Sequence, residues 1–191
     1  AQRRARRVPI RLDADAPPNR DPSALRSMLR ARDGSIWIGS YNVGLVHFYP
    51  QTETWRFYRH DPEDEDSLSH SLINTIFEDR RGRIWVSTLA GLDLLDPTSG
   101  RIRRFRHDAG DAQSVSGDLV RVVFQGRDDT LWIGTHSGLS QVIEGPDDEI
   151  RFRRNGVEQG LPNPTVYGIA EDTQGRFWIS SNGGLASFER E

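Results

Sequence analysis

No cysteine occurs in the 191 residues. Disulfides, thiol nucleophiles and cysteine-held zinc or iron–sulfur centres are therefore excluded. Lysine is missing as well, and all 25 basic residues are arginine. A GC-rich genome accounts for that bias, but its chemical consequence stands: there is no lysine for a Schiff base or for a P-loop. No apolar run approaches the roughly 18 residues that a membrane-crossing helix needs. Residues 1–12 (AQRRARRVPIRL) open basic with no apolar stretch behind them, which is not the pattern of a signal peptide. Cleavage of a leader, or excision from a longer chain, stays open. Neither sign of charge dominates; the net charge of −3 argues against a nucleic-acid surface. H-E-x-x-H, G-x-S-x-G and P-loop motifs are absent. Hydrophobic content is 35% against 28% charged, so the core must be thin or divided.

What is present is a repeat. Trp37, Trp85, Trp132 and Trp178 are spaced by 48, 47 and 46 residues, in the strings SIWIGS, RIWVST, TLWIGT and RFWISS. Gly34, Gly82 and Gly175 stand three residues before their tryptophans, and Asp129 takes that place in the third copy. Glycine and aspartate both tolerate positive φ, so a tight hairpin turn explains the column. Gly-Leu pairs follow at Gly44-Leu45, Gly91-Leu92, Gly138-Leu139 and Gly184-Leu185. Strand-like runs precede each tryptophan, from Leu25, Ile73, Val120 and Val166. Each copy thus reads as four short antiparallel strands, A to D. Strand B is apolar nearly throughout, which predicts burial on both faces, as stacked blades impose. Strand D alternates arginine with aromatic or aliphatic residues, which suits a solvated edge.

The fold expected is an all-β propeller of four repeats of about 47 residues, either a closed four-blade ring or a partial propeller. The units lie near 20–61, 68–108, 115–155 and 161–191, within a single region spanning 1–191, and residues 7–12 read as an extra outer strand D. The chain begins with D and ends with C. That suits ring closure through a composite blade, and equally a cut in a longer array. Closure of the ring is slightly favoured by the register. Otherwise the terminal blades would leave apolar faces, including Ile36, Ile38, Trp178 and Ile179, open to self-association.

The pattern resembles the two-component regulator propeller repeats of bacterial ligand-sensing receptors. Residues 72–98 (LINTIFEDRRGRIWVSTLAGLDLLDPT) follow the family unit closely. Residues 160–188 (GLPNPTVYGIAEDTQGRFWISSNGGLASF) carry its G-L-P lead, and HDPEDEDSLSHS is similar to its inter-blade loop. The resemblance implies a periplasmic, non-catalytic sensor segment of a signal-transduction receptor. It also implies a polar ligand such as an oligosaccharide, and a membrane link only through the parent receptor. Family rings of about seven blades contrast with the four repeats present.

In propellers, ligands collect on the face built from the D–A and B–C loops, around the channel. One column early in strand A is polar or amphipathic in every copy: Arg26, Asn74, Arg121 and Tyr167. The B–C loops add Tyr41, Asn42, His136 and Asn182. These eight residues are the expected ligand-binding set, by hydrogen bonding to a polar ligand; lining a wet channel is the bland alternative. His60 and His107 share one repeat position and read as turn formers. The acidic run 61–66 lacks calcium-loop spacing and reads as a solvated loop. No catalytic residue, metal ligand or cofactor is called for. Two other classes remain: a propeller lyase of the streptogramin-cleaving type, for which only His136 and His70 could serve, and a protein-interaction scaffold.

Overall fold

A computed structural model of the chain describes residues 24–188. The expected strand at 7–12 and the last residues of the fourth unit lie outside these. Fifteen strands form four antiparallel sheets. The first blade is β1 (Leu25–Arg30), β2 (Ile36–Ser40), β3 (Leu45–Tyr49) and β4 (Thr54–Tyr58). The second is β5 (Ile73–Glu78), β6 (Ile84–Thr88), β7 (Gly91–Leu95) and β8 (Ile102–Phe105). The third is β9 (Val120–Gln125), β10 (Leu131–Thr135), β11 (Gly138–Glu144) and β12 (Ile150–Asn155). The fourth holds β13 (Val166–Glu171), β14 (Phe177–Ser181) and β15 (Gly184–Phe188). Each sheet is ordered as in the chain, and the only helical segments described are single turns at Pro146–Asp148 and Val157–Gln159. This is the all-β propeller architecture that the repeat predicts.

The hairpin turns follow the predicted chemistry. Gly34, Gly82 and Gly175 have φ of +86°, +79° and +84°, and Asp129 in the same column has +69°. Strand B is buried on both faces as expected: β6 and β10 are buried at every residue. The tryptophans of the first three B strands each face the following blade. Trp37 and Leu45 pack with Ile73, Ile84 and Val86; Trp85 and Leu92 with Val120 and Ile133; Trp132 and Leu139 with Val166 and Ile179. One aliphatic side chain from each inter-blade loop (Leu68, Val115, Leu161) completes the interface beneath it. The core is therefore divided into slabs between blades, which is how so polar a chain assembles enough buried apolar area.

Inner strands β1, β5, β9 and β13 pack in succession, and the described residues do not close that series from β13 back to β1. They form an open arc of a propeller. The outer columns show the difference. Leu45, Leu92 and Leu139 are 0%, 0% and 1% exposed, whereas the equivalent Leu185 is 70% exposed. Of the four residues expected on bare terminal faces, Ile179 is instead buried against the third blade, and Ile38 is buried among Val43, Val46, Trp55 and Phe57. Trp178 and Ile36 are half-buried.

The arginines of strand D are not merely solvated. Arg104 on β8 donates Nε to the Ser67 carbonyl at 2.7 Å and Nη2 to that of Asp64 at 2.8 Å. Arg154 on β12 does the same one blade later, to Ser114 at 2.8 Å and Asp108 at 2.7 Å. Each clamps the loop that enters its own blade, so expected edge solvation is replaced by carbonyl capping. A guanidinium suits the task because its rigid fork reaches several carbonyls at once.

Candidate functional site

The D–A and B–C loops meet at one rim of the arc. Tyr41, Leu89 and His136 each donate a backbone N–H to the residue just before strand A, namely the carbonyls of Ala24, Leu72 and Leu119 at 2.8, 3.2 and 3.1 Å. This bond sets the tip of each B–C loop beside the start of the inner strand. The polar column of strand A therefore shares a rim with the loop tips. Arg26, Arg121 and Tyr167 are exposed, and Asn74 is half-buried.

The side chains divide into three groups. Arg121 lies over the Tyr167 ring of the next blade, 5.5 Å from its centroid, and Arg26 lies over Tyr41 at 5.8 Å. His136 stands exposed beside the first of these pairs; its carbonyl accepts from Thr165 Oγ1 at 3.1 Å and its ring faces Ser137 Oγ. Asn182 is exposed on the fourth blade. Asn74 donates Nδ2 to the Thr88 carbonyl at 3.3 Å, which is backbone satisfaction within its own blade. Asn42 departs furthest from its expected role, because its Oδ1 is buried and hydrogen-bonds to nothing. Leu89, 51% exposed, joins the same row of loop tips and was not among the expected residues, since nothing polar marks it.

Beneath this rim the loops are held by a repeated polar frame. His60 Nδ1 meets the Leu68 carbonyl at 2.7 Å, and His107 Nδ1 meets that of Val115 at 2.9 Å. Both are turn-forming contacts, as the shared repeat position suggests. His70 Nδ1 accepts from the Leu72 N–H at 2.9 Å, and burial with His60 nearby lowers its pKa. Asp93 is fully buried and accepts from Ser69 N and Oγ at 2.8 and 3.0 Å. Burial pushes its carboxyl up to about 6. Its counterpart in the third blade is Ser140, which accepts from Ser116 N at 2.9 Å without a charge. Sequence reading missed Asp93; the signal was a lone acid in a column otherwise Val46, Ser140 and Ala186.

The opposite rim carries hairpin turns that lock blade to blade. Arg32 Nη1 donates to the Arg80 carbonyl at 2.8 Å, and Arg80 Nη1 to that of Gly126 at 2.9 Å. His47 is buried there, stacked on Trp37 at 3.6 Å and 2.7 Å from Ser35 Oγ. Burial lowers it to about 4, so it is a neutral packing group. Among the described residues no group of three or more His, Asp or Glu side chains could hold a metal.

Blades stacked face to face around inner strands, with a polar rim at the loop tips, define the class: a β-propeller arc. Two of the four repeats match the two-component regulator propeller family, over residues 67–90 and 160–183. A curated relative, "Histidine kinase P4" of Formosa agariphila, is 32% identical over 162 residues, which is 83% of this chain and 12% of the relative. The chain thus spans about an eighth of that protein's length. Among solved structures, the extracellular domain of the hybrid two component system BT4673 from B. thetaiotaomicron superposes with a TM-score of 0.69 at 22% identity. That match covers 87% of this chain and 24% of the other. Virginiamycin B lyase from Staphylococcus aureus matches with a TM-score of 0.58 at 15% identity, covering 88% of this chain and 57% of the lyase. At such identities these structures establish the fold alone. No helix of the described residues is long and apolar enough to cross a membrane.

Proposed function

We propose that this propeller segment is the ligand-sensing part of a bacterial signal-transduction receptor, acting in the periplasm. It binds a polar ligand such as an oligosaccharide at the D–A and B–C rim and catalyses no reaction itself. The observation that carries this reading is the inner-strand column. Arg26, Arg121 and Tyr167 stay exposed at the inner-strand starts, and the two arginines lie over tyrosine rings, Arg26 over Tyr41 and Arg121 over Tyr167. Donors beside aromatic rings suit a ligand with both hydroxyls and apolar ring faces. The family and the resemblance to a histidine kinase favour sensing over turnover. His70 and His136, which a lyase would need, are occupied by Leu72 N–H and placed beside Ser137.

The test is a thermal-shift and calorimetric screen of oligosaccharides against the chain and its Arg26→Ala/Arg121→Ala variant. A ligand should raise the melting temperature through linkage. The double variant should weaken binding at least about tenfold, each lost polar contact to ligand contributing roughly 1 kcal/mol or more, with the unliganded melting temperature nearly unchanged. Destabilisation without a separate binding effect would return the column to a structural role. Turnover of a ligand would replace sensing with catalysis.

A further inference from the structure

Two arginines on the loop rim lie over tyrosine rings with no acidic partner among the described residues, and that selects a ligand class. Resting on the function proposed above, we infer that the ligand is an acidic sugar, held by its oxyanion at the corner of Arg121, Tyr167 and His136. Arg121 makes no ion pair among the described residues; its one recorded contact is with the Tyr167 ring, and a cation–π contact leaves its N–H donors without an acceptor. Arg26 repeats the arrangement over Tyr41. Several arginines elsewhere on the arc are engaged: Arg104 and Arg154 cap carbonyls, and Arg83 and Arg176 pair with Asp79 and Asp172. The unpaired forks sit where a ligand would.

The neighbouring acids do not neutralise this corner. Asp118 is the acid closest in sequence to Arg121, and its Oδ1 is engaged by the His107 N–H at 2.7 Å. Arg104 of an outer strand holds the carbonyls of Asp64 and Ser67 in the loop that carries the acidic run 61–66. Arg154 does the same to Asp108 in the next loop. Tyr167, 47% exposed, offers a ring against which a sugar face can lie while the guanidinium receives the anion. Planar bidentate recognition of an oxyanion is what an arginine fork does better than any neutral donor.

The experiment is an array of paired oligosaccharides that share linkage and length and differ only in carrying carboxylates or sulfates. Hits are then titrated calorimetrically against the chain, Arg121→Gln and Arg121→Lys. Acidic members should bind at least about tenfold more tightly than their neutral twins. Arg121→Gln should erase that preference while the melting temperature holds, and Arg121→Lys should restore part of it. Carboxylated against sulfated hits identify the source of the anion. Neutral members binding as well as acidic ones would overturn this inference and leave the sensor reading intact. No hit of either kind would overturn both.

Discussion

Asp79 joins the repeat motif to its tryptophan, and removing it tests how the blade is held. The carboxylate is fully buried. Oδ1 accepts from the N–H groups of Arg81 and Arg83 at 2.9 and 3.0 Å, and Oδ2 accepts from Arg83 Nε at 2.7 Å and Trp85 Nε1 at 2.9 Å. In Asp79→Ala the buried indole N–H loses its acceptor, at about 1–3 kcal/mol. The two backbone donors lie in a partly open hairpin turn that water can reach, so each adds less, about 0.5 kcal/mol. Arg83 is not stranded, because Glu144 also pairs with it, so the larger penalty of an orphaned charge does not apply. The expected loss is about 2–4 kcal/mol, read from the urea midpoint followed by tryptophan fluorescence. Asp79→Asn keeps one acceptor and should lose about half as much. A double-mutant cycle with Trp85→Phe should show a coupling of about 1 kcal/mol. A loss below about 0.5 kcal/mol for Asp79→Ala, or additivity with Trp85→Phe, would refute the account. Asp172 makes the same four bonds in the fourth blade but with its side chain partly in solvent, so its removal should cost less.

Asp93 and Asp172 predict opposite responses to pH. Burial raises Asp93 from 3.8 to about 6, so between these values the folded chain binds the extra proton and stability falls as pH rises. Asp93→Ser, copying Ser140, should flatten that fall and gain up to about 3 kcal/mol at pH 7 in urea titration; an unchanged slope would show that Asp93 does not titrate there. Asp172, held down to about 2 chiefly by the Trp178 N–H, contributes stability above pH 3.8 that is lost as pH falls towards 2, and Asp172→Asn should remove that acid-limb loss. Arg154→Ala releases the carbonyls of Asp108 and Ser114 and should speed proteolytic cleavage within residues 108–114 several-fold, with a stability loss of about 1–2 kcal/mol; unchanged cleavage would mean that the loop is held by other contacts. A Cβ on Gly134 would come within 2.7 Å of Val122 and Val166, so Gly134→Val should cost about 2–3 kcal/mol by thermal melting, and a neutral result would mean that the slab between blades three and four is loosely packed.

The repeat, its strands and its turns were legible in the residues alone, because these depend on local chemistry. Trp37 to Trp178 gave the period, and a column of Gly with one Asp marked positive φ before any fold was known. Double-sided burial of strand B was legible for the same reason: an uninterrupted apolar run has no polar face to turn to water. The candidate rim was legible as a list of positions, since strand and loop order place them at one end of every blade. Contacts between residues about 40 positions apart became visible in the folded chain. Arg104 and Arg154 look like edge charges in sequence, and become loop clamps because the preceding loop folds back onto their strand. Ile179 looks terminal by position, and is buried because in each blade that column faces backwards, towards the blade before. Asn42 looks like a ligand contact, yet its oxygen is turned inward. The unpaired state of Arg121, on which ligand choice rests, is a property of what does not reach it in space. Local pattern fixes which way a side chain leaves its strand; only packing fixes what it meets.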